Sequence, residues 1–193
     1  MLYEVKKINY NDTKPFILNI HYAKRMPSIS YAYGLFLNNK LVGIVSYGSP
    51  ASPSLCKGIA GLENKSFVIE LNRLVLKYNK KNEASMLVGK SLQLLPKPKI
   101  IVSYADTNQD HVGFIYQATN FYFTGTTKPR TDMAGKNGKH SRHHLGDNTK
   151  RIFRSAKHRY IYIIGNKKDK KKLFKKLNYP ILNYPKNNKV ING

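Results

Sequence analysis

IIVSYADTNQDHVGFIYQATNFYFTG, Ile100 to Gly125, decides how the rest of this chain is read. Ile100, Ile101 and Val102 form a short apolar strand. It delivers Ser103, Tyr104, Ala105 and Asp106 to its carboxyl end, where open α/β sheets keep their ligands. Thr107 to Asp110 is a polar turn. From His111 to Asn120, apolar or aromatic residues fall at Val112, Phe114, Ile115, Tyr116 and Ala118, a spacing that predicts a short helix packed on the sheet. Phe121, Tyr122 and Phe123 read as a further strand, stopped at Gly125.

The same grammar occurs upstream. Phe67–Leu76, FVIELNRLVL, reads as a strand, and a helix follows from Glu83 to Leu95 with Ala84, Leu87, Val88, Ser91 and Leu94 or Leu95 on its inner stripe. Pro96 and Pro98 end that helix, so a right-handed crossover into a parallel strand at Ile100 is expected. Simple alternation puts Glu70, Asn72 and Leu74 on one face of the strand and Leu71, Arg73 and Val75 on the other. Unsatisfied polar groups in an interior strand cost on the order of 1–3 kcal/mol each. Either this strand borders a cleft or its polar residues bind one another.

Tyr31–Leu37 and Lys40–Tyr47 predict a hairpin joined by Asn38-Asn39, residues that tolerate the positive φ of a two-residue turn. Met1–Ile8 reads as a first strand and Thr13–His21 as a helix. Gly48–Lys65, rich in Gly, Pro and Ser, reads as a loop forming a wall or lid. Downstream, Arg159–Ile164 is a strand, Lys167–Leu177 a basic helix, and Asn178–Gly193 a loosely ordered end.

Of 193 residues, 41% are hydrophobic and 11% aromatic, which fits one folded domain. The 34 Lys and Arg stand against 10 Asp and Glu, a formal net charge of +24. Residues 126–193 carry nineteen of the cations and three of the acids, so the charge gathers in the C-terminal third. Such a field repels itself unless an anionic partner compensates, and nucleic acid leads the candidates. A membrane is not indicated: no run of about 18 apolar residues occurs, and Lys6, Lys7, Asp12 and Lys14 interrupt Met1–Ile20. The one cysteine, Cys56, excludes an internal disulfide and points to a reducing cytoplasm. The expected organisation is a catalytic domain over 1–165, with a basic loop at 126–150, and a basic helix and tail over 166–193.

Five segments carry a resemblance: HYAKRMP at His21–Pro27, ELNRLVL at Glu70–Leu76, SYAD at Ser103–Asp106, HVGFIYQATNFYFTGTT at His111–Thr127 and KHRYIY at Lys157–Tyr162. In order and spacing the chain resembles the Mom-type DNA modification proteins of phages. These are a divergent branch of the GCN5-related N-acetyltransferase (GNAT) fold. The resemblance implies an α/β (α+β) domain with a mixed, mainly antiparallel central sheet flanked by helices, here with a basic C-terminal extension. It implies transfer of a carbamoylmethyl-type group to the N6 amine of adenine in phage DNA, in the cytoplasm of the infected host, as a shield against restriction enzymes. It also implies that His21, Tyr22, Arg73 and Asp106 line the active site.

Residue chemistry supplies alternatives at each position. Asp106 at a strand end suits a general base or merely caps a turn, and His111 is a base or a helix cap. Ser103 and Tyr104 offer hydroxyls to orient an amine. Where GNAT enzymes hold the pyrophosphate of acetyl-CoA on a glycine-rich turn, this chain has KYNKKNEAS, Lys77–Ser85, with no glycine. Lys81, Ala84 and Ser85, with Asn72, remain candidates for an acyl-CoA-like donor. His21 and Asp106 are candidates for a metal ion such as iron, without a short-spaced ligand signature. Arg142, Arg151, Arg154, Lys157, Arg159, Lys171, Lys172 and Lys175 are candidate phosphate contacts, and Tyr47 and Tyr116 candidate stacking surfaces for an extruded base. Two competing classes are a conventional acyl-CoA-dependent N-acetyltransferase and a non-catalytic DNA-binding module.

Overall fold

The computed structural model describes residues 2–133 and 151–186. In chain order its elements are β1 (Tyr3–Lys7), α1 (Tyr10–Pro15) running into a π-helical turn (Phe16–Ile20), β2 (Tyr31–Leu37), β3 (Lys40–Gly48), α2 (Pro53–Ala60), β4 (Val68–Leu76), α3 (Glu83–Leu94), β5 (Lys99–Asp106), α4 (Phe114–Ala118), β6 (Tyr122–Thr126), β7 (Arg130–Met133), β8 (Arg151–Arg154), β9 (Lys157–Ile164) and α5 (Lys167–Phe174).

Seven strands form one sheet in the order β1-β2-β3-β4-β5-β9-β6, and β7 and β8 form a separate antiparallel ribbon. The expected hairpin is β2–β3, with Asn38 and Asn39 both at positive φ. Its bulge and the alternation of Leu35, Val45 and Tyr47 point these side chains under α3, where Leu87 and Val88 are fully buried. Burying each such side chain contributes about 1.5–3 kcal/mol. The opposite face is covered by α2 and α5 over Ile100, Val102 and Ile161, and by Phe16 and Ile17 of the π turn over Ile44 and Val75.

Among the described strands only β4 and β5 run parallel, and briefly. Val68, Ile69 and Glu70 pair with Ile100, Ile101 and Val102; beyond them β4 continues along β3 while β5 continues along β9. The two strands therefore fork at their carboxyl ends. Ser103 Oγ donates to the Leu71 carbonyl at 2.9 Å, a clip across the root of the fork.

Several expectations are corrected. A bulge lies where Tyr47 pairs with Leu71 and Ser46 with Arg73, leaving Asn72 as the extra residue. The alternation resets there, so Arg73 and Val75 share the face of Glu70 rather than that of Leu71. The expected loop at 48–65 contains α2, started by Pro53 and capped by Ser52 Oγ, which accepts from Leu55 N–H. Of the segment expected to be loosely ordered from Asn178, residues 187–193 lie outside the described residues, while the part before them is docked: Leu182 N–H donates to Phe123 O and Tyr184 Oη–H to Phe121 O. Of the basic loop expected at 126–150, the part beyond Met133 lies outside the described residues, and its first residues form β6 and β7.

Candidate active site

Three stretches far apart in sequence meet at the fork. The π turn ends at His21, whose backbone turns extended there. The following segment is tied down by β4: Asn72 Nδ2 donates to Ser28 O at 2.7 Å, and Arg73 Nη2 donates to Arg25 O at 2.9 Å. Gly48 permits the approach, since a Cβ there would lie 1.9 Å from Ser28 O. The Asn and Arg of ELNRL thus hold the HYAKRMP segment in place. Asn72 Oδ1 also accepts from Ser46 Oγ, so this amide, expected near a cofactor, braces the bulge instead.

Arg73 is half-buried, and both terminal nitrogens donate to carbonyls, Nη1 to its neighbour Asn72 O at 2.6 Å. Its Nε is buried without a partner among the described residues. Burial first and the Arg25 charge second lower its pKa. An orphaned donor of this kind in a cleft is poised for an acceptor atom of a ligand.

His21 stacks on Tyr22 with ring centroids 4.4 Å apart, and Tyr22 is otherwise exposed. Burial, then Arg73 and His111, lower the His21 pKa to about 4. The imidazole is therefore neutral at physiological pH. Ala23 N–H donates to its Nδ1 at 3.0 Å, which fixes the ring proton on Nε2. His21 presents a neutral N–H donor rather than a base. His111 lies across from it, after the turn at Asp106–Asp110 and ahead of α4.

Ser103 and Tyr104 part ways. Ser103 faces α4, where it hydrogen-bonds the Tyr116 hydroxyl; the Tyr116 pKa is pushed up to about 12 by burial. Tyr104 faces the other side, its phenol raised by burial and then by Glu70, with Arg159 and Tyr179 beside it. Arg159 was expected on a DNA-tracking surface. It is half-buried instead, with its guanidinium 3.3 Å over the Tyr179 ring and donating to Thr124 Oγ1 and O. Tyr47 is also corrected: fully buried and hydrogen-bonded to Ser91 Oγ at 2.6 Å, it is core and not a stacking surface.

The Asp106 carboxylate is held on three sides. It accepts from Ser155 Oγ, from Asn108 N–H at 3.0 Å, and from Lys157 Nζ in an ion pair at 3.2 Å. Burial alone would raise its pKa, but these partners outweigh burial and lower it. A carboxylate so stabilised is a weak proton acceptor. With Thr107, which donates through N and Oγ1 to Ala156 O, it fixes the root of the β7–β8 ribbon to the carboxyl end of β5.

Neither expected cofactor finds a ready seat. At the start of α3, Glu83 is buried, and its carboxylate accepts from Lys80 N–H at 2.8 Å and from Tyr3 Oη–H at 2.8 Å. An anionic side chain thus occupies the turn where a pyrophosphate would have to sit, and the residues do not fit an acyl-CoA diphosphate. Ala84 is buried, and Ser85 lines, with Asn82, Gly89, Gln93, Thr119 and Lys97, a cavity of about 500 Å³ on the α3 side. Lys81 is exposed. Among the described residues no group of three or more His, Cys, Asp or Glu side chains gathers, so His21 and Asp106 do not form a metal cage with further ligands of those types. Of the remaining phosphate candidates, Arg151, Lys171, Lys172 and Lys175 are exposed, Arg154 is half-buried, and Arg142 lies outside the described residues.

A profile of the Mom protein family matches residues 2–186. This chain belongs to the Mom protein family. It is 28% identical over 186 residues to the protein named methylcarbamoylase mom of Escherichia phage Mu, covering 86% of this chain and 76% of that one. Its fold is that of the GNAT acetyltransferases. Arabidopsis thaliana NAA60, solved with acetyl-CoA, superposes with a TM-score of 0.53 at 12% identity, covering 84% of this chain and 99% of that one. An N-acetyltransferase from Staphylococcus aureus Mu50 gives 0.52 at 12% identity over the same shares. Among the described residues of this Mom-family chain no helix is long and apolar enough to cross a membrane.

Proposed function

We propose that this protein transfers a carbamoylmethyl-type group to the N6 amine of adenine in double-stranded phage DNA, shielding that DNA from restriction in the cytoplasm of the infected host. The observation that carries this is the meeting of His21, Tyr22, Arg73 and His111 at the β4–β5 fork of a Mom-family chain. That fork is where the family segments HYAKRMP, ELNRL and SYAD converge.

Each group has a role its geometry supports. An adenine N6 lone pair is delocalised into the ring, so the transferred group must be polarised before the amine attacks. The Nε2–H of neutral His21 and the orphaned Nε–H of Arg73 are donors set for an oxygen on that group, in a part-buried site where such bonds are strong. As the N6–C bond forms, the bond from that carbon to the donor's leaving group breaks and the leaving group takes the electron pair, while His111, close enough to His21 to bear on its charge, accepts the N6 proton. Tyr22, exposed and stacked on His21, is a platform for the extruded base. Ser103, Asn72 and Asp106 act as positioning residues: the first clips the fork, the second holds the His21 segment, the third roots the ribbon. A conventional acyl-CoA-dependent acetyltransferase is disfavoured by the Glu83 carboxylate in the diphosphate turn.

The test is mass spectrometry of nucleosides from plasmid DNA of cells expressing the protein, beside cells expressing Arg73→Met. A modified deoxyadenosine found only with the wild type supports the reading, and its mass identifies the transferred group. Unmodified DNA from cells holding folded wild-type protein overturns it.

A further inference from the structure

The β7–β8 ribbon stands outside the main sheet, and hydrogen bonds from Ser155 to Asp106 and from Thr107 to Ala156 O fix its root to the end of β5. Strand register divides its residues between two faces. On one, Arg130 and Arg154 flank Asp132, whose two oxygens accept from Arg130 Nε at 3.1 Å and Arg154 Nε at 3.3 Å. One carboxylate thereby aligns two guanidiniums and leaves a net positive face. On the other, Phe153 pairs with Thr131 beside Arg151 and is 66% exposed. Phe153 is the most exposed phenylalanine among the described residues, and its strand places Arg151 and Arg154 on either side of it.

We propose that this ribbon is the device that prises the target adenine out of duplex DNA. Arg130, Arg151 and Arg154 seat on the phosphates, and Phe153 enters the base stack in place of the extruded adenine. The inference rests on the reading that adenine in duplex DNA is the substrate. A base inside a duplex cannot reach a site lying in a sheet fork, so it must swing out, and the gap left behind has to be filled. Apolar wedges flanked by arginines fill such gaps in proteins that kink DNA. Phe153 sits two residues before Ser155, whose hydroxyl bonds Asp106 at the end of β5. The wedge is therefore tied to the carboxyl end of β5, one arm of the fork that carries the site. The occupant is double-stranded DNA, argued from the ribbon's three arginines against one aspartate.

The test uses the full chain, mixed-sequence duplexes carrying 2-aminopurine in place of adenine, and Phe153→Ala beside Phe153→Trp. With wild-type protein the 2-aminopurine fluorescence rises as the base unstacks. Phe153→Ala is expected to bind duplex within about twofold of wild type while losing the rise, and Phe153→Trp to keep it. In host-cell lysate, which supplies the donor, Phe153→Ala should modify duplex about tenfold less than wild type yet modify single strands equally well, since these need no prising. No fluorescence rise with the wild type, or equal rises with both variants, overturns the wedge. Equal loss on duplex and single strands overturns it in favour of a structural role. If fluorescence behaves as expected but no DNA of either form is modified by the wild type, the wedge stands and the transferase reading falls.

Discussion

Arg73→Lys keeps the charge, and hence the long-range attraction for DNA, while altering the geometry on which the site depends. Arg73 donates to Asn72 O at 2.6 Å and to Arg25 O at 2.9 Å, and a lysine ammonium reaches one of these carbonyls at most. A bond from a charged donor contributes about 1.5–3 kcal/mol when buried. At a half-exposed site roughly half of that is expected, so losing one bond costs about 1 kcal/mol. For a chain of this size each kcal/mol lowers Tm by about 2–4 °C. Thermal unfolding of Arg73→Lys should therefore show a small drop, with the protein fully folded at 25 °C. Modification should fall much further, by about 10²-fold, because the Nε–H donor is gone and a pre-aimed donor to a developing negative charge contributes on that scale. The assay is nucleoside mass spectrometry beside differential scanning fluorimetry on the same preparations. Modification at the wild-type level would show that Nε meets nothing in the reaction. A Tm unchanged from wild type would show that the guanidinium does not clamp the His21 segment.

Three further outcomes follow from the same geometry. His21 ionises at about 4 in the folded chain against 6.5 unfolded, so the unfolded state binds the extra proton between those values; stability from keeping it neutral is complete above about 6.5 and lost as pH falls toward 4, and a His21→Gln variant with the same acid slope as wild type would disprove the assignment. Acetyl-CoA at millimolar concentration should leave Tm unchanged, because Glu83 occupies the diphosphate turn; a rise of several degrees would contradict that account. Duplex affinity should fall steeply with salt, with a log–log slope of about −4 to −5 for five phosphate contacts, and Lys171→Gln with Lys172→Gln should flatten it by one to two units; a nearly flat response in the wild type would remove the basic surface's role.

The local parts of this fold were legible and the long-range ones were not. The β2–β3 hairpin announced itself through Asn38-Asn39, and β4, α3 and β5 through their periodicities and the terminating prolines. The bulge at Asn72 could not be read from β4, because it depends on how Ser46 and Tyr47 pair with it. That one residue moves Arg73 to the face of Glu70, which decides the composition of the cleft. Helix α2 was masked by a Pro- and Ser-rich segment that signals a cap as readily as a loop. Asp106 stood out at its strand end, but its partners Ser155 and Lys157 arrive from a segment about fifty residues on, so sequence suggested a base where the structure shows an anchor. Arg159 and Tyr179 were likewise obscured by the basic composition around them, which concealed a half-buried cation–π contact.

The place of β9 in the sheet bears on how this molecule is born. It lies between β5 and β6, pairing Lys99 with Ile164 and Asp106 with Lys157, so β5 has no neighbour on that side until residues 157–164 have been made. During synthesis the N-terminal strands emerge and associate first, leaving β5 as an open edge. Closing it requires contacts of high sequence separation, which are slow to form. The same insertion delivers Ser155 and Lys157 to Asp106 and, through them, sets the ribbon. A nascent chain that stops before β9 thus carries the His21–Arg73 half of the site without the anchor of the ribbon, and the two halves meet in one late step.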